Sequence, residues 1–388
     1  MSKGKKIKII VSIVAISFIQ GLQYCVSPVL GQIREYYSDV EISLVQMLIT
    51  APALISMFVA LLSGWLVVKI SKKKLLIFGS FVAGITGFLP FLSESFMLLF
   101  VSRTLYGIGL GLATALNTAV VAEFFEGDER VSVMGIQAAS IGAGMVIVTT
   151  VGGMLGANSF QNAYWINIIG FISMLLIAGF LPETGKARVT TTEKLQLNKE
   201  VFKISALGMI EFLFLITFTT NIAMHLSGSL KGDTAVSGNL IGIFSGAQIV
   251  MGVILGAVVK VTKKYTLPTA MLSFSVGAFL LILFPSDFIM LMIGAILCGV
   301  SQGMFVPQAM VEVSCAVKPV ATAMASACFT CAICFGQLIS PTVLNAVSKL
   351  VFGEITATNV YMISAVGMAA VAGIVFITRT RKLPVYFK

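Results

Sequence analysis

Charge is scarce in this chain. Only 11% of its 388 residues are Asp, Glu, Lys or Arg, where a soluble domain carries about 25%. Apolar residues make up 57%, more hydrocarbon surface than a water-soluble core needs and as much as a bilayer can cover. Histidine occurs once, at His225. That leaves no plausible Ser/His/Asp or zinc arrangement, so no enzymatic activity, metal or cofactor is expected. The sequence lacks G-x-x-x-x-G-K-[ST], which argues against ATP-driven work. Tryptophan occurs twice, too rarely for the aromatic platforms of a sugar site. Cysteine is sparse as well: Cys25, Cys298, Cys315, Cys328, Cys331 and Cys334 form no obvious extracellular pair. Three of them step by three along one helix, where small side chains let helices approach closely. A soft-metal site there would need partner ligands, and His225 lies towards the opposite end of another span.

What the chain has instead is long apolar runs. They predict twelve spans: Ile7–Ile33, Ile42–Val68, Leu75–Leu92, Phe96–Val121, Val131–Leu155, Tyr164–Leu181, Phe202–Met224, Val236–Val259, Leu267–Pro285, Phe288–Val311, Ala321–Val347 and Tyr361–Ile377. Twelve spans of about 20 residues with short loops fit the length. Glycine is frequent, at 36 residues, as expected where membrane helices pack closely. Pro28, Pro90, Pro182, Pro268, Pro285 and Pro319 fall near span ends, where a missing N–H costs least. Pro52, Pro307 and Pro341 fall inside spans and predict bends. The first span begins with Lys3, Lys5, Lys6 and Lys8 like a signal peptide, but its apolar run is longer than such a peptide's. No small-residue cleavage site follows, so it reads as a retained helix.

Basic residues test that count. With both termini inside, the outer loops hold only Arg34, Lys231 and Lys349, and Arg103 lies within a span. All other lysines and arginines fall on the inner side, as the positive-inside rule predicts for cytoplasmic termini in a cell membrane. The net charge of +10 is therefore a topology signal and implies no nucleic-acid partner. The longest polar stretch, Glu183 to Lys203, separates spans six and seven. The expected organisation is an N-terminal bundle over 1–182, a cytoplasmic linker over 183–200 and a C-terminal bundle over 201–388, in an all-α membrane protein expected to be a monomer.

The halves echo one another. Val67-Val-Lys-Ile-Ser-Lys-Lys-Lys74 returns as Val258-Val-Lys-Val-Thr-Lys-Lys-Tyr265, an offset of 191. Phe96, Gly107 and Gly111 return as Phe288, Gly299 and Gly303, an offset of 192. Duplicated apolar units with a basic loop at the same place in each suit a transporter that moves one half against the other.

Several segments resemble the major facilitator superfamily. Gly64-Trp-Leu-Val-Val-Lys-Ile-Ser-Lys-Lys-Lys74 is similar to its G-x-L-x-D-R-x-G-R-R loop. Lys69, Lys72 and Lys73 take the basic positions, Val68 stands in place of the aspartate and Ser71 in place of a glycine. Arg103-Thr-Leu-Tyr-Gly107 resembles the R-x-x-x-G motif. Glu123-Phe-Phe-Glu-Gly-Asp-Glu-Arg130 resembles the acidic helix end and following arginine. Gly152-Gly153 matches the end of the antiporter G-P-x-x-G-G motif, with Val148 and Thr149 in its Gly-Pro positions. The resemblance implies two pseudo-symmetric six-helix bundles, and a kinship with drug/proton antiporter-like members that assigns no subfamily.

Physical reasoning selects the candidate site. Opposite charges at helix ends on one membrane face, Lys69, Lys72, Lys73, Glu123 and Arg130 beside Gly64, can form a cytoplasmic gate, each pair worth about 0–1 kcal/mol. Arg103 lies about seven residues inside its span, ~10 Å from the outer end. A guanidinium in hydrocarbon costs at least ~2.5 kcal/mol, so it should face the interior, as an anion-binding or proton-coupling group, with Asn117 fourteen residues on along the same face. Glu211, roughly two turns inside the seventh span, is the candidate proton carrier. The remaining substrate-facing candidates are Gln20, Gln23, Tyr24, Gln137, Thr220, Gln248, Gln302 and Gln337. Apolar walls with a few fixed polar groups suit a small amphipathic organic molecule. The function expected is alternating-access secondary transport in the lipid bilayer, by proton-coupled efflux of such a compound. The alternative is uptake or exchange of a metabolite or organic anion. A helical receptor or scaffold would require neither the repeated basic loop nor Arg103.

Overall fold

The computed structural model describes residues 3–92, 94–184, 198–229, 234–317 and 322–381, and these are helical throughout apart from turns. The helices are α1 (Lys3–Gly21), α2 (Leu30–Tyr36), α3 (Ile42–Lys69), α4 (Lys72–Phe88), α5 (Phe96–Phe124), α6 (Gly127–Leu155), α7 (Ile168–Phe180), α8 (Lys199–Leu215), α9 (Thr217–Ser229), α10 (Thr234–Thr262), α11 (Thr266–Leu283), α12 (Phe288–Cys315), α13 (Thr322–Phe352) and α14 (Ala357–Arg381). Most of the expected 183–200 linker lies outside the described residues.

Eleven stretches among the described residues are long and apolar enough to cross a membrane. One of them, Thr234–Leu283, runs for 50 residues and holds both α10 and α11, joined by a 3-10 turn at Lys263–Tyr265. At 1.5 Å per residue that is more than twice a hydrocarbon core of about 30 Å. The expected eighth and ninth spans both lie within it. The expected first span is broken: 3-10 turns at Leu22–Tyr24 and Ser27–Val29 separate α1 from α2, with Pro28 in the second of them. Pro52, Pro307 and Pro341 stand inside α3, α12 and α13. Local chemistry sets several ends. Asp287 caps α12, its carboxylate accepting from Ile289 N (2.9 Å) and Met290 N (3.2 Å). Gly353, at φ 78°, follows the last turn of α13 in the left-handed conformation that glycine adopts most easily.

The described chain clusters into two units. The first is 1–39 with 47–192, and the second is 40–46 with 193–388. Within the first, α1 packs on α6, and α4 on both α5 and α7; within the second, α8 packs on α13, and α11 on both α12 and α14. The same neighbour relations thus recur with the helices in the same order.

The shared glycines explain part of that recurrence. A Cβ on Gly107 or Gly111 would meet the carbonyl oxygens of Pro52 and Ser56 on α3. On Gly299 or Gly303 it would meet those of Phe244 and Gln248 on α10. Pro52 to Phe244 and Ser56 to Gln248 are each displaced by 192, the offset of the glycines themselves. The repeat is therefore a conserved helix crossing at which backbone meets backbone. Gly107→Ala and Gly299→Ala should each cost about 1–3 kcal/mol through overpacking. Thermal unfolding of the purified protein should show comparable losses for the two variants and almost none for Gly64→Ala, where a Cβ meets nothing within 4 Å.

Candidate functional site

Arg103 is the centre of the first unit's polar interior. It lies near the start of α5 and is 2% exposed, facing inward as the cost of a guanidinium in hydrocarbon requires. Its Nε donates to the Leu48 carbonyl (3.1 Å), Nη2 to the Gln23 carbonyl (2.5 Å) and Nη1 to Cys25 Sγ (3.4 Å). The Tyr106 ring lies 5.0 Å from the guanidinium carbon, and the Tyr106 hydroxyl donates to the Ile19 carbonyl.

The choice of acceptors follows from the backbone. In an α-helix the carbonyl of Leu48 would accept from the N–H of residue 52, and residue 52 is a proline with none to give. Gln23 lies where the first span breaks into 3-10 turns. Arg103 thus serves carbonyls at two helix interruptions through charge-assisted hydrogen bonds. Arg103, Gly107 and Gly111 step by four along α5 and face Leu48, Pro52 and Ser56, which step by four along α3.

The other polar candidates of this unit join helices. Asn117 Nδ2 donates to Ser17 Oγ (2.9 Å), so that Asn117, like Arg103, is bonded to the first span. Gln137 Nε2 donates to Thr118 Oγ1 (3.1 Å), and Gln23 Nε2 to the Ile49 carbonyl (3.3 Å). Gln20 and Tyr24 are half-buried, and the Gln20 amide nitrogen is buried with no partner among the described residues.

At the basic loop Lys72 Nζ meets Glu123 Oε2 at 2.6 Å. Lys69 lies over the Trp65 ring at 3.9 Å, and Arg130 Nη2 donates to the Ala122 carbonyl (2.8 Å). Gly64 has open space around its Cα. Two partners escaped sequence reasoning. Ser71 Oγ donates to Glu183 Oε1 (2.7 Å), and Lys73 N–H donates to Thr184 Oγ1 (3.0 Å). A carboxylate and a hydroxyl from the chain after α7 therefore sit at the start of α4, where unpaired N–H groups favour them. A carboxylate is thus present at this loop although Val68 supplies none.

In the second unit Glu211 is fully buried on α8. Its Oε1 accepts from Ser301 Oγ at 3.1 Å, and Oε2 has no hydrogen-bond partner among the described residues. Thr220 Oγ1 donates to the Ile216 carbonyl (3.1 Å) and accepts from Asn221 Nδ2 (3.1 Å). Gln248 Oε1 and Gln337 Nε2 are buried without partners among the described residues, and Gln302 is half-buried. The other buried acid, Glu312, is engaged: Arg379 Nη1 and Nη2 reach its two oxygens at 2.9 and 2.6 Å, and Gln308 Nε2 donates to it at 3.2 Å. Arg379 Nη1 also donates to the Lys264 carbonyl (3.1 Å). The sequence marks Arg379 only as one of the tail's basic residues, since the 67 positions between the partners hide the pairing. The segment Val40–Gln46, part of this unit, is held by a further polar cluster. Gln46 Nε2 donates to Asn221 Oδ1 (2.7 Å), and Asn345 Nδ2 donates to Gln46 Oε1 (2.7 Å) and Ser43 Oγ (3.0 Å).

Buried charge on long helices whose apolar faces remain exposed defines a multi-pass membrane protein with a polar interior. A sequence profile of the Major Facilitator Superfamily matches residues 12–222 and 204–388. The chain belongs to this superfamily. It is similar to the riboflavin transporter RibZ of Clostridioides difficile (strain 630), 28% identical over 146 residues, 37% of this chain and 32% of that protein. It is also similar to the quinolone resistance protein NorA of Staphylococcus aureus (strain MRSA252), 22% identical over 189 residues, 47% of this chain and 49% of NorA. The chain thus spans about a third to a half of the length of these relatives. Among solved structures, the nucleoside transporter NupG (D323A mutant) superposes with a TM-score of 0.79 at 14% identity, covering 95% of this chain and 99% of NupG. The D-xylose–proton symporter superposes with a TM-score of 0.73 at 16% identity, covering 95% and 97%. At those identities the likeness is one of fold.

Removing one side of a buried pair should cost more than removing a surface charge. Arg379→Ala should destabilise by about 3–5 kcal/mol because Glu312 is left buried and unpaired. Adding Glu312→Gln should restore part of the loss, read as the thermal midpoint in detergent. A double variant no more stable than Arg379→Ala would show that the pair does not carry the effect.

Proposed function

We propose that the chain is a proton-coupled exporter of a small amphipathic organic compound, working by alternating access in the cell membrane. In this reading it has twelve membrane-crossing helices in two six-helix bundles, with both termini and the 183–200 linker cytoplasmic, and acts as a monomer. Gln20, Gln23, Tyr24, Asn117, Gln137, Thr220, Gln248, Gln302 and Gln337 supply the fixed polar groups along an otherwise apolar path. Arg103 positions that set by holding the first span and α3 to α5. Lys69, Lys72, Lys73, Glu123 and Arg130 form the cytoplasmic gate.

The observation that carries the coupling is the contrast between two buried acids. Glu312 has Arg379. Among the described residues Glu211 has a serine hydroxyl on one oxygen, no hydrogen-bond partner on the other and no ion pair. A buried anion without a counter-ion is costly, so gain or loss of a proton at Glu211 shifts the balance between conformations that bury it and conformations that hydrate it. Export of an amphipathic compound is favoured over uptake of an organic anion because the three contacts of Arg103 are to protein acceptors. The names of the relatives, quinolone resistance and riboflavin transport, agree with an amphipathic heterocyclic substrate.

Glu211→Gln should retain substrate exchange in proteoliposomes and lose accumulation driven by an imposed pH gradient. A wild-type response to the gradient would remove Glu211 from the coupling. In a cysteine-free background, Lys388→Cys should stay unmodified by a membrane-impermeant thiol reagent until the cells are opened. Labelling in intact cells would invert the topology.

A further inference from the structure

We infer that the first unit carries a binding groove for an anionic phospholipid, separate from the substrate-facing residues. The groove has a volume of about 440 Å³ and is lined by Val59, Leu62 and Leu66 of α3, Ile70 just after it, Lys74, Leu75 and Phe78 of α4, and Ile108 and Leu112 of α5. Its origin is the crossing of α3 and α5. The helices touch backbone to backbone at Gly107 and Gly111, against Pro52 and Ser56. The groove begins on the side of Ser56 that leads to the basic loop, where Val59 is the first lining residue of α3. Both rims belong to exposed apolar stripes. On α3 Phe58, Leu62 and Trp65 are each more than half exposed, and on α4 Phe78 is 53% exposed, with Phe81 and Ile85 continuing its face. Surfaces of this composition on a membrane protein face hydrocarbon.

Length and charge select the occupant. From Val59 the groove follows α3 for ten residues to its end at Lys69, about 15 Å, the scale of an acyl chain and far longer than a headgroup. Every lining residue is apolar except Lys74, which sits at the end beside the basic loop. Lys74 is exposed and makes no ion pair among the described residues, whereas Lys72 is bound to Glu123 and Lys69 lies over Trp65. A slot that is apolar along its length and carries one free cation at its mouth is complementary to a molecule with an apolar tail and an anionic head. At a membrane surface that molecule is an anionic phospholipid.

The tryptophans make the test direct. Trp65 and Trp165 are the two in the chain, so Trp165→Phe leaves Trp65, one residue from the groove-lining Leu66, as the reporter. The protein is reconstituted in phosphatidylcholine vesicles containing phosphatidylglycerol or phosphatidylcholine with brominated acyl chains, and quenching of Trp65 is followed against mole fraction. Brominated phosphatidylglycerol should associate about fivefold more strongly than brominated phosphatidylcholine, the worth of one lysine near an anionic surface. Lys74→Glu should abolish the preference and Lys74→Arg should keep it. Val59→Phe and Ile108→Phe, which fill the slot, should each weaken quenching by both lipids. Equal quenching by the two lipids in the unmodified groove overturns the proposal. So does a preference that survives Lys74→Glu. A preference lost in Lys74→Glu with quenching unchanged in both filling variants would indicate headgroup adsorption outside the groove, which also overturns it. Transport is not read, so the outcome is independent of the direction, substrate and coupling proposed above.

Discussion

A single arginine closes the backbone of the first unit. Pro52 interrupts the hydrogen-bond ladder of α3, and the first span is interrupted between α1 and α2. Each interruption would leave a buried carbonyl without a partner, at a cost of about 1–3 kcal/mol. Arg103 donates to one carbonyl at each interruption, Leu48 and Gln23, from a side chain rigid enough to point two donors in fixed directions. The arginine in turn is tolerable in the span only because those carbonyls, Cys25 and the face of Tyr106 surround it. Proline, broken helix and arginine depend on one another, and the tight passage of Gly107 against Pro52 lets α5 come near enough for the bonds to form.

The internal duplication shows what depends on what. Displaced by 192, Leu48, Pro52, Gly107 and Arg103 correspond to Leu240, Phe244, Gly299 and Ala295. The second unit keeps the close glycine crossing, with Gly299 against Phe244, and has neither the proline nor the arginine. Where the helix carries its own N–H, no guanidinium is placed. At the basic loops the units also diverge. In the first, a loop lysine meets Glu123 at the end of α5. In the second, Arg379 of α14 links Glu312 near the end of α12 to the carbonyl of loop residue Lys264. The arrangement common to both is a carboxylate near the same helix end, neutralised by a cation that ties a neighbouring helix to it.

Much of this was legible in the sequence because the bilayer imposes strong rules. Apolar runs, the distribution of lysine and arginine and the 192-residue echo needed only local patterns, as did the inward direction of Arg103. The two expected spans within Thr234–Leu283 appear as one helical stretch because a 3-10 turn at Lys263–Tyr265 joins α10 directly to α11, with Lys263 at φ 49° making the bend. The partners of Arg103 could have been foreseen in part, since a proline inside a helix always orphans the carbonyl four residues earlier. Arg379 with Glu312, and Glu183 with Ser71, could not. Both join residues far apart in sequence through helix neighbours that hydrophobic periodicity leaves undetermined. Glu211 was visible as an acid within a span, but its solitude beside Ser301 is a matter of packing.

The interdependence of Pro52 and Arg103 is best tested by a double-mutant cycle on thermal stability. Arg103→Leu alone leaves the Leu48 carbonyl unserved, whereas Pro52→Ala returns an N–H to the α3 ladder. In the Pro52→Ala background, Arg103→Leu should cost less than in the parent protein by about 1–3 kcal/mol, the worth of one buried carbonyl's bond. Additive costs, with Arg103→Leu equally damaging whether residue 52 is proline or alanine, would contradict the account.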